Sequence, residues 1–427
     1  MDKFLTPEYE RSRKSYVVQA TVEYMVSLLI ADVYLAKLLS SIGISDGLIG
    51  IISSFITLAF VFQFFSFFLA KSKTNSKKLV MIFDTMSILF FMFIYLIPFL
   101  PCSKNIRSII LMLSILIAYL FKYLVQNILF KWANSYVNPK KRASFSANKE
   151  MVSLFSGMIF TIFVGYVIDI YESHNNLSGG FLFIASAILI LNICNFISLV
   201  FIKKETKVEE VNDTEPVFTV LKKLVKNKNF RNVVILTSTW DVARYFTIGF
   251  MGIFKSKDLM ISVFLVQIIN VLANTSRLLL SKPMGSYADN NSYVKGYKLG
   301  LCMAAFAFFI NMFTTKSTWG LVIVFTILYN ASFAGTNHNS FNMVYSYVDL
   351  KYITQAMSIK NCVGGLLGFG ASVLGGKILN ALQANNNMIF EVHIYGQQIL
   401  SGISFVITII AIVFATKVVE KQKILIQ

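Results

Sequence analysis

Of the ionisable side chains inside the long apolar runs of this 427-residue chain, five stand out: Glu23, Asp32, Lys122, Asp241 and Arg244. A charge at the centre of a hydrocarbon layer costs roughly 2.5–3.5 kcal/mol on insertion scales, so such groups persist where they pair, meet water or bind something. At a rise of about 1.5 Å per helical residue, Glu23 and Lys122 fall at the same depth and can pair. Asp241 and Arg244 are three residues apart and share a helix face, and Arg244 is also within reach of Asp32. Gln126 stands one turn beyond Lys122, and Asn330 and Asn337 add amides on a later run. Tyr24, Trp240 and Tyr245 flank the charges with faces that can stack on a solute. A carboxylate in a dry site beside a cation gains or loses a proton as its surroundings change. The set therefore suits binding of a polar solute coupled to H⁺, with Na⁺ as the alternative ion. The competing reading is a set of permanent salt bridges that stitch helices together.

The elements that must position these groups are helices in lipid. The chain is 56% hydrophobic and only 14% charged, against about 25% charged in an average soluble domain. Twelve apolar runs are expected near 16–41, 48–70, 78–100, 107–130, 147–170, 179–202, 230–254, 259–281, 296–314, 318–340, 355–379 and 395–417. About 20 apolar residues in a helix span the hydrocarbon layer, so the fold class expected is an all-α integral membrane protein with 12 transmembrane helices.

The net charge of +18 would suggest nucleic acid in a soluble protein, but its placement points elsewhere. Lys and Arg gather in the N-terminus, the even-numbered connections and the C-terminus, and are sparse in the odd-numbered ones. That asymmetry puts both termini in the cytoplasm and the lysines against anionic lipid heads, with no nucleic acid. Cys102, Cys194, Cys302 and Cys362 form no CxxC pair, so no disulfide framework or metal site is expected. The opening MDKFLTPEYERSRKSY lacks a cleavage signal, and the first run is expected to remain in the protein. The many Lys, Asn, Ile and Phe residues suggest a bacterial source and hence the cytoplasmic membrane.

The longest polar stretch, Lys203–Asn229, divides the chain into residues 1–202, a linker 203–229, and residues 230–427. Within it, Val217–Lys226 has apolar residues at helical spacing opposite lysines and reads as a surface helix. The two halves repeat. A shift of 211 residues aligns SYVNPKKRASFSANKE from Ser135 with SYVDLKYITQAMSIKN from Ser346, and matches Lys140 to Lys351, Lys149 to Lys360, Gly157 to Gly368 and Gly165 to Gly376. It also superposes Gln63 on Asn274 and Lys71 on Lys282. Two six-helix bundles related by a pseudo-twofold repeat follow.

In run count, central linker, half-repeat and the segment Gly285-Ser-Tyr-Ala-Asp289 the chain resembles the major facilitator superfamily of transporters, along nearly its whole length. The family's motif GxxxDRxGRR is kept there at Gly285 and Asp289 but not beyond, where Asn290 and Ser292 stand; the first copy, AKSKTNSKK from Ala70, keeps only basic charge. The resemblance implies alternating access between two bundles around a cavity lined by runs one, four, seven and ten. The five charges fall on runs one, four and seven of that set.

Gate candidates complete the set. Asn270, Asn274 and Arg277 form one stripe at i, i+4 and i+7, while Arg277 is also placed to snorkel to phosphates. Lys149 and Lys360 open runs five and eleven as matched gate contacts or as plain cytoplasmic anchors. Gly364, Gly365, Gly368, Gly370, Gly375 and Gly376 lack phosphate-loop spacing and fit close helix packing instead. His174, His338 and His393 are scattered, and no HExxH or GxSxG occurs, so no enzyme is expected. The expected function is a proton-coupled secondary transporter of a small organic solute, monomeric and without a cofactor. The alternatives are a multidrug or peptide exporter of the same fold, suggested by 40 Phe and 16 Met, and a non-transporting membrane protein.

Overall fold

The computed structural model describes residues 6–62, 76–137, 142–203, 217–349, 352–389 and 392–422. Gln63, Lys71, Lys140, Lys351, the motif copy from Ala70 and residues 204–216 of the linker lie outside them. Among the described residues the regular structure is helical apart from a short hairpin of two residues a side, Met388–Ile389 against Val392–His393. In chain order the α-helices are α1 (Pro7–Leu29), α2 (Asp32–Ser41), α3 (Asp46–Ser53), α4 (Phe55–Ala59), α5 (Ser76–Ile94), α6 (Lys104–Ser135), α7 (Arg142–Ser173) and α8 (Leu177–Phe201). The second half of the sequence forms α9 (Val217–Lys226), α10 (Lys228–Tyr245), α11 (Ile248–Ile253), α12 (Val263–Asn290), α13 (Tyr293–Asn311), α14 (Leu321–Tyr347), α15 (Ile353–Ala384) and α16 (Gly396–Lys417).

Among the described residues seven helices are long and apolar enough to cross a bilayer, so the protein is a multi-pass membrane protein. They correspond to runs four, five, six, eight, nine, eleven and twelve. Run three carries Lys78 and Asp84, and run ten Asn337, His338 and Asn339, within unbroken helices, while runs one and seven are divided as described below. Several helices overshoot the expected runs by a turn or more, α6 and α7 among them, because a helix need not end where its apolar stretch does. Local signals start the helices. Asn176 accepts from the amide of Gly179 at the head of α8, Asn227 from those of Asn229 and Phe230 at α10, and Ser292 from that of Lys295 at α13.

Runs one and seven were expected as single helices and are each broken. Run one parts at Ile30 and Ala31, and Asp32 takes φ +48°, a left-handed conformation that Asp tolerates better than most residues. The break frees the carbonyl of Leu29 inside an apolar interior, and the Tyr95 hydroxyl donates to it. Run seven parts at Phe246 and Thr247, and the Thr247 hydroxyl is paired with that of Ser404 at 2.7 Å. Beyond α11 the chain continues as a π-helical turn, Phe254–Asp258. The expected helix Val217–Lys226 forms as α9, but Val220 and Leu224 are buried against protein while Val225 is exposed.

The chain divides into two compact units: Met1–Ile44 with Phe62–Asn212 and Ser262–Gln267, and Ser45–Val61 with Asp213–Ile261 and Ile268–Gln427. In the first, Asp169 on α7 accepts from the amides of Val263 (2.9 Å) and Phe264 (2.8 Å), filling two donors that the start of α12 leaves open. In the second, Asp46 at the start of α3 holds Lys257 (2.7 Å) and Gln383 (2.6 Å).

The repeated glycines permit close packing. A methyl on Gly157 would stand 2.6 Å from the Tyr24 ring, and one on Gly368 would stand 2.7 Å from the Tyr245 ring. Each spares room for a tyrosine on the first long helix of its own unit. At the other matched pair, Gly165 meets Phe264 and Gln267 within the first unit, and Gly376 meets the Gly47 carbonyl within the second. Gly365 packs on the carbonyl of Thr57, whereas Gly370 faces open space. Gly365→Ala should therefore cost about 1–3 kcal/mol, lowering the melting temperature of detergent-purified protein, and Gly370→Ala should leave it unchanged.

Candidate functional site

The first unit buries a cluster of five polar side chains drawn from four helices. Gln19 and Glu23 are one turn apart on α1, Asp84 comes from α5, Lys122 from α6 and Asn195 from α8. Lys122 Nζ donates to Glu23 Oε1 at 2.8 Å, and both side chains are about four-fifths buried or more, at 14% and 21% exposure. Gln19 Nε2 lies 3.2 Å from Glu23 Oε2 and 3.5 Å from Asp84 Oδ2, bridging the two acids. Asn195 Nδ2 donates to the same Asp84 oxygen at 2.7 Å. Between Glu23, Ser27, Asp84, Ser87 and Lys122 lies a void of about 10 Å³, room for about one water. The unfilled oxygens Gln19 Oε1 and Asn195 Oδ1 are buried with no hydrogen-bond partner among the described residues.

Glu23 and Lys122 thus meet as their depths imply. Asp84 is the residue that the sequence analysis missed. Its signal was available: an acid at the seventh residue of run three, outside the set that the family resemblance made prominent. Lys149, from α7, stands 6.0 Å from the Tyr16 ring centroid, in the same unit. Gln126 is half-buried on α6 one turn beyond Lys122, and Asp32 is half-buried at the start of α2.

The second unit holds a different arrangement. Arg244 Nη2 pairs with Asp241 Oδ1 at 2.9 Å along α10, and its guanidinium lies 4.6 Å from the centroid of the Tyr245 ring. Gly364 on α15 makes the room, since any side chain there would overlap Asp241 Oδ2. Arg244 Nε, Ser238 Oγ and the Tyr297 hydroxyl are buried without a hydrogen-bond partner among the described residues. Unfilled donors of this kind beside an ion pair can receive the polar edge of a solute. Trp240 packs on Phe308 and Tyr329 and is only 4% exposed, so it belongs to the core.

Lys360, from α15, lies within electrostatic range of Asp241 and Arg244, and its Nζ donates to Ser340 Oγ at 2.9 Å. The remaining residues are dispersed, and Asn330 turns its amide to the carbonyl of Thr326. Asn337 is exposed. Asn270, Asn274 and Arg277 are half-buried along α12, with Arg277 5.8 Å from the Phe333 ring centroid. Asp289 is exposed and a methyl on Gly285 would meet nothing within 4 Å, so neither is packed into a contact that requires its residue type.

The fold has close counterparts among solved structures. The chain superposes on a D-xylose–proton symporter with a TM-score of 0.71 at 12% identity, covering 97% of this chain and 99% of that one. The fold is like that of these transporters, as the resemblance to the major facilitator superfamily implied. The nucleoside transporter NupG matches with a TM-score of 0.66 at 14% identity over 98% of this chain and all of that one. A bacterial homologue of the iron transporter ferroportin, in an inward-facing state, matches at 0.68 and 11% over 98% and 100%. No family model matches the sequence, and no curated protein matches it. These structural neighbours are membrane transporters.

The Glu23–Lys122 pair gives a direct stability test. Glu23→Gln or Lys122→Met alone leaves a buried charge without its principal partner and should cost on the order of 3 kcal/mol. The double variant should recover most of that loss in thermal unfolding, whereas additive losses would show that the two groups do not act as a pair.

Proposed function

We propose that the protein is a secondary transporter that moves a small polar or amphiphilic organic solute across the cytoplasmic membrane by alternating access, driven by protons. The observation that carries this reading is the charge imbalance of the first unit's cluster. Two buried carboxylates, Glu23 and Asp84, share one hydrogen-bonded cation, Lys122. Lys149 acts on Glu23 at longer range, outside that hydrogen-bonded set. An unbalanced negative charge in a dry interior is costly, so the cluster favours carrying one proton. Asp84, the more enclosed acid at 3% exposure, is the group assigned to hold it. Exposure to water releases that proton, and the bridging Gln19 transmits the change to the Glu23–Lys122 pair.

The second unit supplies the solute contacts in this reading. The Asp241–Arg244 pair presents both signs of charge, and the unfilled Arg244 Nε and Tyr297 hydroxyl offer donors. Asp32 and Gln126 in the first unit and Asn330 and Asn337 in the second are secondary candidates for solute contact, and Asn270, Asn274, Arg277, Gly285, Asp289, Lys149 and Lys360 are candidates for gating. The full architecture belongs to the proposal: 12 transmembrane helices in two related bundles, residues 1–202 and 230–427, joined by the linker 203–229, with both termini cytoplasmic and the protein monomeric. The matched roles of Gly157 and Gly368 support the repeat. That a proton symporter shares the fold at a TM-score of 0.71 supports proton coupling.

Solutes that raise the melting temperature of the purified protein should be taken up by proteoliposomes along an imposed pH gradient. Asp84→Asn, which keeps the hydrogen bond from Asn195, should cut gradient-driven accumulation by at least about tenfold while sparing solute exchange at equal pH. Accumulation that survives in both Glu23→Gln and Asp84→Asn would refute the assignment of these acids. Accumulation that follows a Na⁺ gradient alone would reassign the ion.

A further inference from the structure

Away from both polar clusters, a groove of about 530 Å³ lies between α5 and α8 in the first unit. Met81, Ile82, Met86 and Phe196 line it, and Lys77 and Lys78 stand at its end, in the first turn of α5. Ile82, Met86 and Phe196 are 45%, 41% and 45% exposed, and Ile190, Ile193 and Ile197 continue the exposed apolar face along α8. An apolar face of this extent in a multi-pass protein faces hydrocarbon. The lysines mark the level at which hydrocarbon gives way to headgroups.

Lys77 is met by the carbonyl end of α8, whereas Lys78 is not offset within its own turn. Two cations in the first turn of a helix sit at the positive end of its dipole, and no acid shares that turn. The sequence has no Asp or Glu between Asp46 and Asp84, and the same stretch adds Lys71 and Lys73. Lys77 Nζ donates to the carbonyls of Val200 (2.8 Å) and Ile202 (2.7 Å) at the end of α8, which fixes its ammonium at the groove mouth. Lys78 is exposed beside it.

We propose that the groove binds one anionic phospholipid, its phosphate against Lys77 and Lys78 and an acyl chain along Met81, Ile82, Met86 and Phe196. The phosphate supplies the negative charge that the helix start lacks, and the acyl chain covers the thioethers and the Phe196 ring. A zwitterionic lipid fills the groove as well but brings its own cation to the lysines, so the site discriminates by headgroup charge.

Native mass spectrometry of the full chain in detergent, titrated separately with phosphatidylglycerol and phosphatidylcholine, tests this. Phosphatidylglycerol should be retained preferentially. Lys78→Gln should weaken its retention roughly fivefold, the effect of about one surface charge. Met86→Trp, which fills the groove and keeps both charges, should displace the lipid as well. Excess inorganic phosphate should not compete. Equal retention of the two lipids, retention unaltered by both substitutions, or displacement by inorganic phosphate would each overturn the proposal.

Discussion

The constraint on which the rest depends is the cost of an ionised group in hydrocarbon. Each deep charge on this chain is compensated by a specific geometry. Glu23 is met by Lys122 at 2.8 Å, Asp241 by Arg244 at 2.9 Å, and Asp84 by the amides of Asn195 and Gln19. The two units solve the problem differently. The first closes an acid-rich set around a void of about one water, and the second leaves Arg244 Nε and the Tyr297 hydroxyl without hydrogen-bond partners among the described residues. A closed, charge-imbalanced cluster suits exchange of a proton, and open donors suit a larger solute.

Backbone geometry follows from the same constraint. A helix interrupted within the apolar interior must find new partners for its freed carbonyls. The break before Asp32 is tolerated because the Tyr95 hydroxyl reaches the Leu29 carbonyl. Asp169 and Asp46 likewise receive donors at helix starts and from nearby side chains, instead of standing unpaired. Glycines set how near the helices can come. Gly364 is the clearest link between packing and chemistry, since the absence of its side chain is what admits the Asp241 carboxylate.

Much of the candidate site was legible in the linear chain. The pairing of Glu23 with Lys122 followed from equal depth, and that of Asp241 with Arg244 from a three-residue spacing. Asp84 was legible as an acid in an apolar run, but run three lies outside the set of runs one, four, seven and ten. Gln19 and Asn195 were not legible as partners, because neutral amides are common in helices and only their approach from α1 and α8 gives them a role. Trp240 misled in the opposite direction: its position beside Asp241 suggested stacking on a solute, and its ring packs in the core.

The sequence by itself determined that this chain lives in a membrane, which of its segments are helical and which charges are buried in them. Those properties depend on local composition and on periodicity, which lipid enforces along each helix separately. Tertiary structure decided which of the buried groups meet, where runs one and seven break, and which glycines are required. These depend on distances between helices far apart in the chain, and no spacing along one helix encodes them.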